Sequence, residues 1–351
     1  FPNAVGIESG HADTVGDLFY SSDAGVAPGV KHVANFELFF FYQSVVAPLI
    51  STRARVVNQS FTFDGDRPEV NRRYDDYISR FRRVIVSAVG AGGLIYSPAS
   101  CYNGIAVGSP DGNSSSGPTV DGRCKPDLVA PGSETSFAAP LVSGAAALLV
   151  QAGERQGVYA TRAIDARTMK ALLINGAVKP DGWTHSPTSP LDPHFGAGVL
   201  NVFNSWQQLV GGRHPPTLTE TASPAPQHAP QNVVPTFSAA TGWDLNDLKS
   251  SARADAVSHY LFDFGGGNLI ATITWNRNFG HGKINNLDLF LFNAGTGALV
   301  AQSGSAVDNV EHVFSQDLPA ARYDIEVVKR GGSGVASALE RYALAWSFEA
   351  P

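Results

Sequence analysis

The sequence predicts an α/β domain, with a parallel sheet flanked by helices, followed by an all-β sandwich. Three observations carry this. From Val30 to about Gly211, short β-rich runs alternate with helical patterns, the signature of a parallel sheet covered on both faces. A Pro-, Thr-, Ala- and Gln-rich stretch, RHPPTLTETASPAPQHAPQNVVP, then interrupts the periodicity and reads as an extended linker. Beyond it, strands alternate with Gly and Asn turns, as in a sandwich. The expected organisation is therefore 1–212, a linker over 213–235, and 236–351.

Element by element, VKHVANFELF reads as a strand, FYQSVVAPLIS as a helix and RARVVNQSF as a strand. The stretch from Pro68 to Arg82 is amphipathic: Arg72, Arg73, Arg80 and Arg82, with Arg83 beyond, alternate with Tyr74, Tyr77, Ile78 and Phe81. That pattern marks a solvated helix face rather than a phosphate site. VIVSAVG, GIAVG and DLVAPG are short apolar strands. In the second half, HYLFDFGG, LIATITWNR, NLDLFLFNA, ALVAQSG, VEHVFSQ, RYDIEVVK and YALAWSFE read as strands.

The 351 residues are 43% hydrophobic and carry a net charge of −6, with 16% charged residues. This balance argues against nucleic acid or anionic membrane as the main partner. The apolar run ELFFFYQSVVAPLI is too short for a bilayer span and contains Pro48. Abundant Gly, Ser, Thr and Asn with a single Met point to a secreted, cell-surface or periplasmic protein. Cys101 and Cys124 fit one disulfide, with two separate buried thiols as the alternative. The chain begins without an initiator Met or a signal sequence, already inside a motif, so an upstream segment is expected to have been removed or left out.

The densest chemical signal is GSETSFAAPLVSGAAALLV, Gly132–Val150. Thr135 is expected to cap a helix that holds Ser136 in its first turn, where unpaired N–H groups and the positive dipole end gather. An oxyanion beside such an end is stabilised. The bland alternative is a buried alanine-rich helix with a capping Ser/Thr pair.

Context decides between them. CKPDLVAPGSETSFAAPLVSGAAALLV resembles the nucleophile region of subtilisin-like serine peptidases, with Glu134 replacing the glycine of their Gly-Thr-Ser. VVNQS (Val56–Ser60), VIVSAVGAGG, SPASCYNGIAVG, MKALLINGAVKP and FGAGVLNV resemble further segments of the family in the expected order. GHADTVG followed by AGVAPGV matches the family's histidine region. The resemblance implies a subtilisin-like fold and a Ser136 nucleophile whose proton passes to His11. It implies Ser60 on the substrate-binding edge, and Gly90 and Ala91 at the oxyanion loop. Catalysis would need no cofactor, and the substrate would be a peptide or protein. Structural calcium accords with the family, but no stretch has convincing oxygen-ligand spacing.

Three departures follow. The family's aspartate lies well upstream of the histidine, whereas only ten residues precede His11. A cleaved N-terminal fragment is the preferred source of that carboxylate; a strand left out of this sequence, Glu8 or another carboxylate in its place, or loss of activity are the alternatives. Ala91 stands where the family has asparagine, and losing such a donor typically costs ~10²–10³ in turnover. Phe61 and Phe63 replace small residues after Ser60 and would reshape the subsites. An inactive relative acting as a binding or structural module is therefore the competing expectation. A zinc site on His11, Asp13 and Asp17 lacks a ligand set, and the acid-acting relatives of this fold need carboxylates not found here. The C-terminal half resembles jelly-roll-like accessory domains of bacterial secreted subtilases. Asp288 and Asp308 would bind calcium or serve turns there. Trp275 and Phe290 would be core or polymer-binding.

Overall fold

The computed structural model describes residues 9–111, 113–222, 228–229, 232–235, 237, 241–332 and 335–349. The first half contains helices α1 (Gly10–Tyr20), α2 (Leu38–Phe41), α3 (Pro68–Phe81), α4 (Thr135–Gly153), α5 (Ala160–Ala163), α6 (Ala166–Asn175) and α7 (Val202–Gly211). Strands β1 (Val56–Gln59), β2 (Val84–Ala88), β3 (Ile105–Gly108) and β4 (Leu128–Val129) form one parallel sheet in the order β1-β2-β3-β4. β2 and β3 are buried throughout, which explains their uninterrupted apolar sequences.

Successive strand residues point to opposite faces, and the end of β1 shows what covers each. Asn58 meets Ser143 of α4 (2.9 Å), whereas Gln59 meets Tyr74 of α3 (2.7 Å). α3 and α4 thus lie on opposite sides of the sheet. The α3 arginines 72 and 73 face solvent while Tyr74, Tyr77 and Ile78 are buried. α4 is long and apolar enough to cross a membrane, with a mean hydropathy of 1.4. Its apolarity is used in the core, where Ala138, Val142, Ala145, Ala146 and Leu149 are buried.

Two expectations fail at the start of the domain. VKHVANFELF forms no strand: residues 30–37 are irregular and α2 begins at Leu38. Glu37 is the cause, because its carboxylate accepts the Phe39 and Phe40 N–H groups and nucleates a turn. The following helix is a π-helical turn at Tyr42–Val46.

The second half is a sandwich of antiparallel strands: β5 (Leu218–Ala222), β6 (Thr241–Lys249), β7 (Asp255–Phe264), β8 (Gly267–Trp275), β9 (Leu287–Asn293), β10 (Ala298–Ser303), β11 (Val310–Leu318), β12 (Ala321–Lys329) and β13 (Leu339–Glu349). The sheets run β11-β8-β13-β6 and β10-β9-β12-β7-β5. β5 lies within the stretch read as linker and pairs with β7; residues 223–227 and 230–231 of that stretch lie outside the described set.

Tyr260, Phe262, Leu269, Ile273, Trp275, Leu289, Ile325, Tyr342 and Trp346 fill the space between the sheets. The opposite face of β6 and β13, with Trp243, Leu245, Ala343 and Ala345, joins the core of the first half. The polar positions of β8 are used the same way: Thr272 donates to Asn175 Oδ1 (2.8 Å) and Thr274 to the Arg167 carbonyl (2.9 Å). The four-stranded sheet is therefore buried on both faces, and α6 packs against it. Asp288 pairs with Arg330, and Asp308 accepts the Cys124 N–H and the Ser305 hydroxyl.

The disulfide expectation is corrected: Cys101 and Cys124 are free thiols. The Cys101 sulfur packs inside the core against Gly104, where an added Cβ would come within 2.8 Å of it. The Cys124 sulfur lies 3.3 Å from the Ser189 hydroxyl. Each is held by its own surroundings.

Candidate active site

α4 presents Ser136 in its first turn. The helix cap is Glu134, in extended conformation (φ −142°) with no side-chain capping bond, so a glycine is not required there. Thr135 is not the cap that its sequence suggests. Its side chain is buried and its Oγ1 lies 3.3 Å from both the N and O of Gly90. Phe137 and Ala138 N–H groups both go to the Glu134 carbonyl, leaving the Thr135 and Ser136 amides as the donors at this helix start. Gly132 is needed one turn earlier: an added Cβ would approach the Ala138 nitrogen to 3.0 Å.

Ser136 is half-buried and tied to the end of β1. Ser60 Oγ donates to the Ser136 carbonyl (2.7 Å), and Ser136 Oγ lies 3.4 Å from the Ser60 carbonyl. Ser60 also accepts from Asn58 Nδ2 at 3.0 Å. Beyond it, Phe63 turns into the core against Phe39 and Tyr42, with Phe61 at its edge.

The loop of Gly90, Ala91, Gly92 and Gly93 borders the helix start through Thr135. Gly90, Gly92 and Gly93 all have positive φ (101°, 72° and 75°), a backbone that favours glycine. Ser115 N–H donates to Gly90 O (3.0 Å), Ser115 Oγ to Gly92 O (3.0 Å) and Ser116 N–H to Gly93 O (3.2 Å). Ala91 is exposed between these glycines. No sequence signal marks Thr135 and Ser115 as the clamp of this loop, because both look like ordinary turn residues. A polar cleft of about 200 Å³ lies on the far side, lined by Ser109, Ser114, Ser116 and His194; Ser136 does not line it.

His11 sits at the exposed N-terminal end of α1, which Ser9 caps by accepting the Ala12 N–H. α1 lies against α4 where Gly144 leaves room: an added Cβ there would come within 2.5 Å of Val26 and 3.4 Å of the Phe19 carbonyl. The His11 ring centroid is 5.6 Å from that of Phe137, the residue after Ser136. The imidazole thus lies near the helix end that carries Ser136, while the Ser136 hydroxyl is directed at the Ser60 carbonyl rather than at His11. Asp13 and Asp17 are exposed on α1, and Glu8 lies outside the described residues. Among the described residues, the side of β1 away from β2 carries no strand.

The sequence pattern of the Subtilase family matches residues 24–198, taking in Ser136 but not His11. Pyrolysin from Pyrococcus furiosus is 34% identical over 136 residues, covering 33% of this chain and 9% of that protein. Tripeptidyl peptidase 2 aligns over 99% of this chain and 41% of its own, with a TM-score of 0.44 and 14% identity. A protease from Pseudoalteromonas arctica aligns over 44% of this chain and 51% of its own, at 0.32 and 19%. The chain therefore spans only a minor part of these first two relatives. With a parallel sheet, a serine-bearing helix start and a matching pattern across residues 24–198, the chain belongs to the subtilase family of serine peptidases.

Proposed function

We propose that the chain is an exported serine endopeptidase acting through Ser136 and His11. The observation that supports it most is the helix start itself, where a half-buried hydroxyl, two uncommitted amides and a neighbouring imidazole come together. Ser136 Oγ attacks the peptide carbonyl while His11 takes its proton. The Ser136 N–H stabilises the oxyanion. His11 then protonates the departing amine, and water, deprotonated by His11, hydrolyses the ester. An extended substrate lies along the backbone of Ser60–Phe63.

The carboxylate that orients His11 is proposed to come from a separate segment paired along the outer side of β1. The unpaired outer side of β1 among the described residues supports this reading, since an exposed strand edge invites pairing with another segment. Export is supported by composition alone, because the thiols are unpaired. Counted from β6, the sandwich sheets run 6-3-8-1 and 5-4-7-2, with β5 added at an edge; this order supports a jelly-roll reading. Its docking on α6 and α7 supports a stabilising role.

The test is a fluorophosphonate probe with the adduct located by mass spectrometry. Labelling at Ser136, lost in Ser136→Ala and strongly reduced in His11→Ala, is the expected result. Ala91 favours a second reading, a non-catalytic binding module. Absence of any adduct, with an upstream segment present in the sample, would decide for that reading.

A further inference from the structure

The face of the sandwich turned away from the peptidase half holds a second cluster of chemically capable groups. His259 on β7 and Glu326 on β12 are direct cross-strand partners, and Asp324 is two residues along β12. All three side chains are fully buried. His259 Nδ1 is 2.8 Å from Asp324 Oδ2 and 3.6 Å from Glu326 Oε1. One ligand atom from each lies within 4.8 Å of the others. Tetrahedral bonds of ~2.0–2.2 Å, as zinc makes to N and O, put ligand atoms about 3.3–3.6 Å apart; the 3.6 Å pair has this spacing, and the 2.8 Å pair, a hydrogen bond here, would open by about half an ångström.

One further observation points to a cation. The other ring nitrogen, Nε2, is buried without a hydrogen bond and has Glu220 Oε1 of β5 at 3.4 Å. A carboxylate on the far nitrogen is the usual outer partner of a metal-bound histidine, fixing the tautomer that leaves the first nitrogen free to coordinate.

We propose that His259, Asp324 and Glu326 form a divalent cation site of the zinc class. An imidazole ligand selects zinc-like ions over calcium or magnesium, which prefer all-oxygen shells. Asp324 also accepts the Ala229 N–H (2.9 Å) and the Tyr260 N–H (3.1 Å). The ion would thus fasten the segment around Ala229 to the outer face of the sandwich. The site is independent of Ser136.

The test uses the full chain, stripped with EDTA and titrated with Zn²⁺ against a chromogenic chelator. One Zn²⁺ per chain is expected, undisturbed by millimolar Ca²⁺, and Co²⁺ should give the intense visible bands of a tetrahedral N/O site. His259→Gln and Glu326→Gln should each weaken binding by at least ~100-fold, since even outer partners of a metal site are worth ~10–100-fold. His11→Ala should change nothing. No stoichiometric Zn²⁺ binding, or equal affinity in folded His259→Gln and Glu326→Gln chains, would overturn the proposal. If His259→Gln does not fold, the isosteric Glu326→Gln decides alone.

Discussion

Ser60 and Ser136, 76 residues apart, hold each other: the Ser60 hydroxyl donates to the Ser136 carbonyl while the Ser136 hydroxyl faces the Ser60 carbonyl. The end of β1 thereby sets the direction of the first turn of α4. Ser60→Ala removes the 2.7 Å bond and should cost about 1 kcal/mol of stability. Fluorophosphonate labelling of Ser136 should slow by about tenfold, a typical loss for a small misplacement of a reacting group. Urea titration and labelling rates check both. An unchanged labelling rate would show that the helix start is positioned without Ser60.

Ala91 lies exposed on the glycine loop that Thr135 fastens to the nucleophile helix. Ala91→Asn supplies a carboxamide donor beside the Ser136 amide, and a donor of this kind is worth ~10²–10³ in turnover when well placed. Ala91→Asn should therefore raise the acylation rate of Ser136 by at least tenfold. The gain should appear in the rate constant rather than in reagent affinity.

How far the sequence reached can be read from single residues. The helix that carries Ser136 was legible from its run of small and aliphatic residues, whereas only the resemblance of the surrounding segments singled out the serine. The strands β2, β3 and β8 were legible from apolar runs or strict alternation. The region from Val30 to Leu38 was not, because capping by the Glu37 carboxylate outweighs the β preference of its valines and phenylalanines. β6 was missed for a different reason: Asp244, Asn246 and Asp247 break its apolar pattern, and only the fold brings Arg213 and Arg341 to the two aspartates. Docking of the sandwich was also invisible, since Thr272 and Thr274 look solvent-facing until Asn175 and Arg167 meet them.

The thiol environments predict a chain indifferent to reductant. Burial pushes the Cys101 thiol up to about 12, and burial with Asp308 does the same for Cys124. Native protein should react slowly with a thiol reagent, while denatured protein should release two equivalents. The melting temperature should be the same with and without dithiothreitol. A peptide joining residues 101 and 124 in a non-reducing map would reverse this conclusion.

Arg277 ties the two halves together. Its guanidinium is 2.8 Å from the buried Asp75 carboxylate, and its backbone exchanges hydrogen bonds with the Asn103 side chain. Burial raises the Asp75 carboxyl, an effect Arg277 opposes. Removing the cation strands a buried charge, which typically costs ~3–5 kcal/mol. Arg277→Met should lose about that much, and adding Asp75→Asn should restore a large part. Both halves of the parent should unfold in one calorimetric transition, because Trp243, Leu245, Ala343 and Ala345 belong to the first core as well as to sandwich strands. Two well-separated transitions in the parent would contradict this shared core.

Buried acids in the sandwich set the pH dependence. Burial raises Glu340 to about 7 against the opposing amides of Asn285 and Asn278. Burial raises Asp244 to about 6 against Arg213. An acid whose folded value is raised gives stability that is fully present below its unfolded value, near 4, and is lost as pH rises through the folded value. For Glu340 the loss is about 3 kcal/mol by pH 8, at 1.36 kcal/mol per pH unit. Asp127 and Asp165 act in the opposite sense. Burial there is outweighed by Lys125 and Lys170 in one case and by Arg167 in the other, so both are held below the ordinary value. Their contribution is present above that value and disappears as pH falls through the lowered one. The two groups together place maximum stability near pH 4, about where the unfolded carboxylates titrate. Urea midpoints should therefore fall from pH 4 to about pH 7 and level off above it, and Glu340→Gln should flatten that slope. A midpoint that rises over the same range in the parent would contradict the assignment, because it would require the buried acids to be more stable charged than neutral.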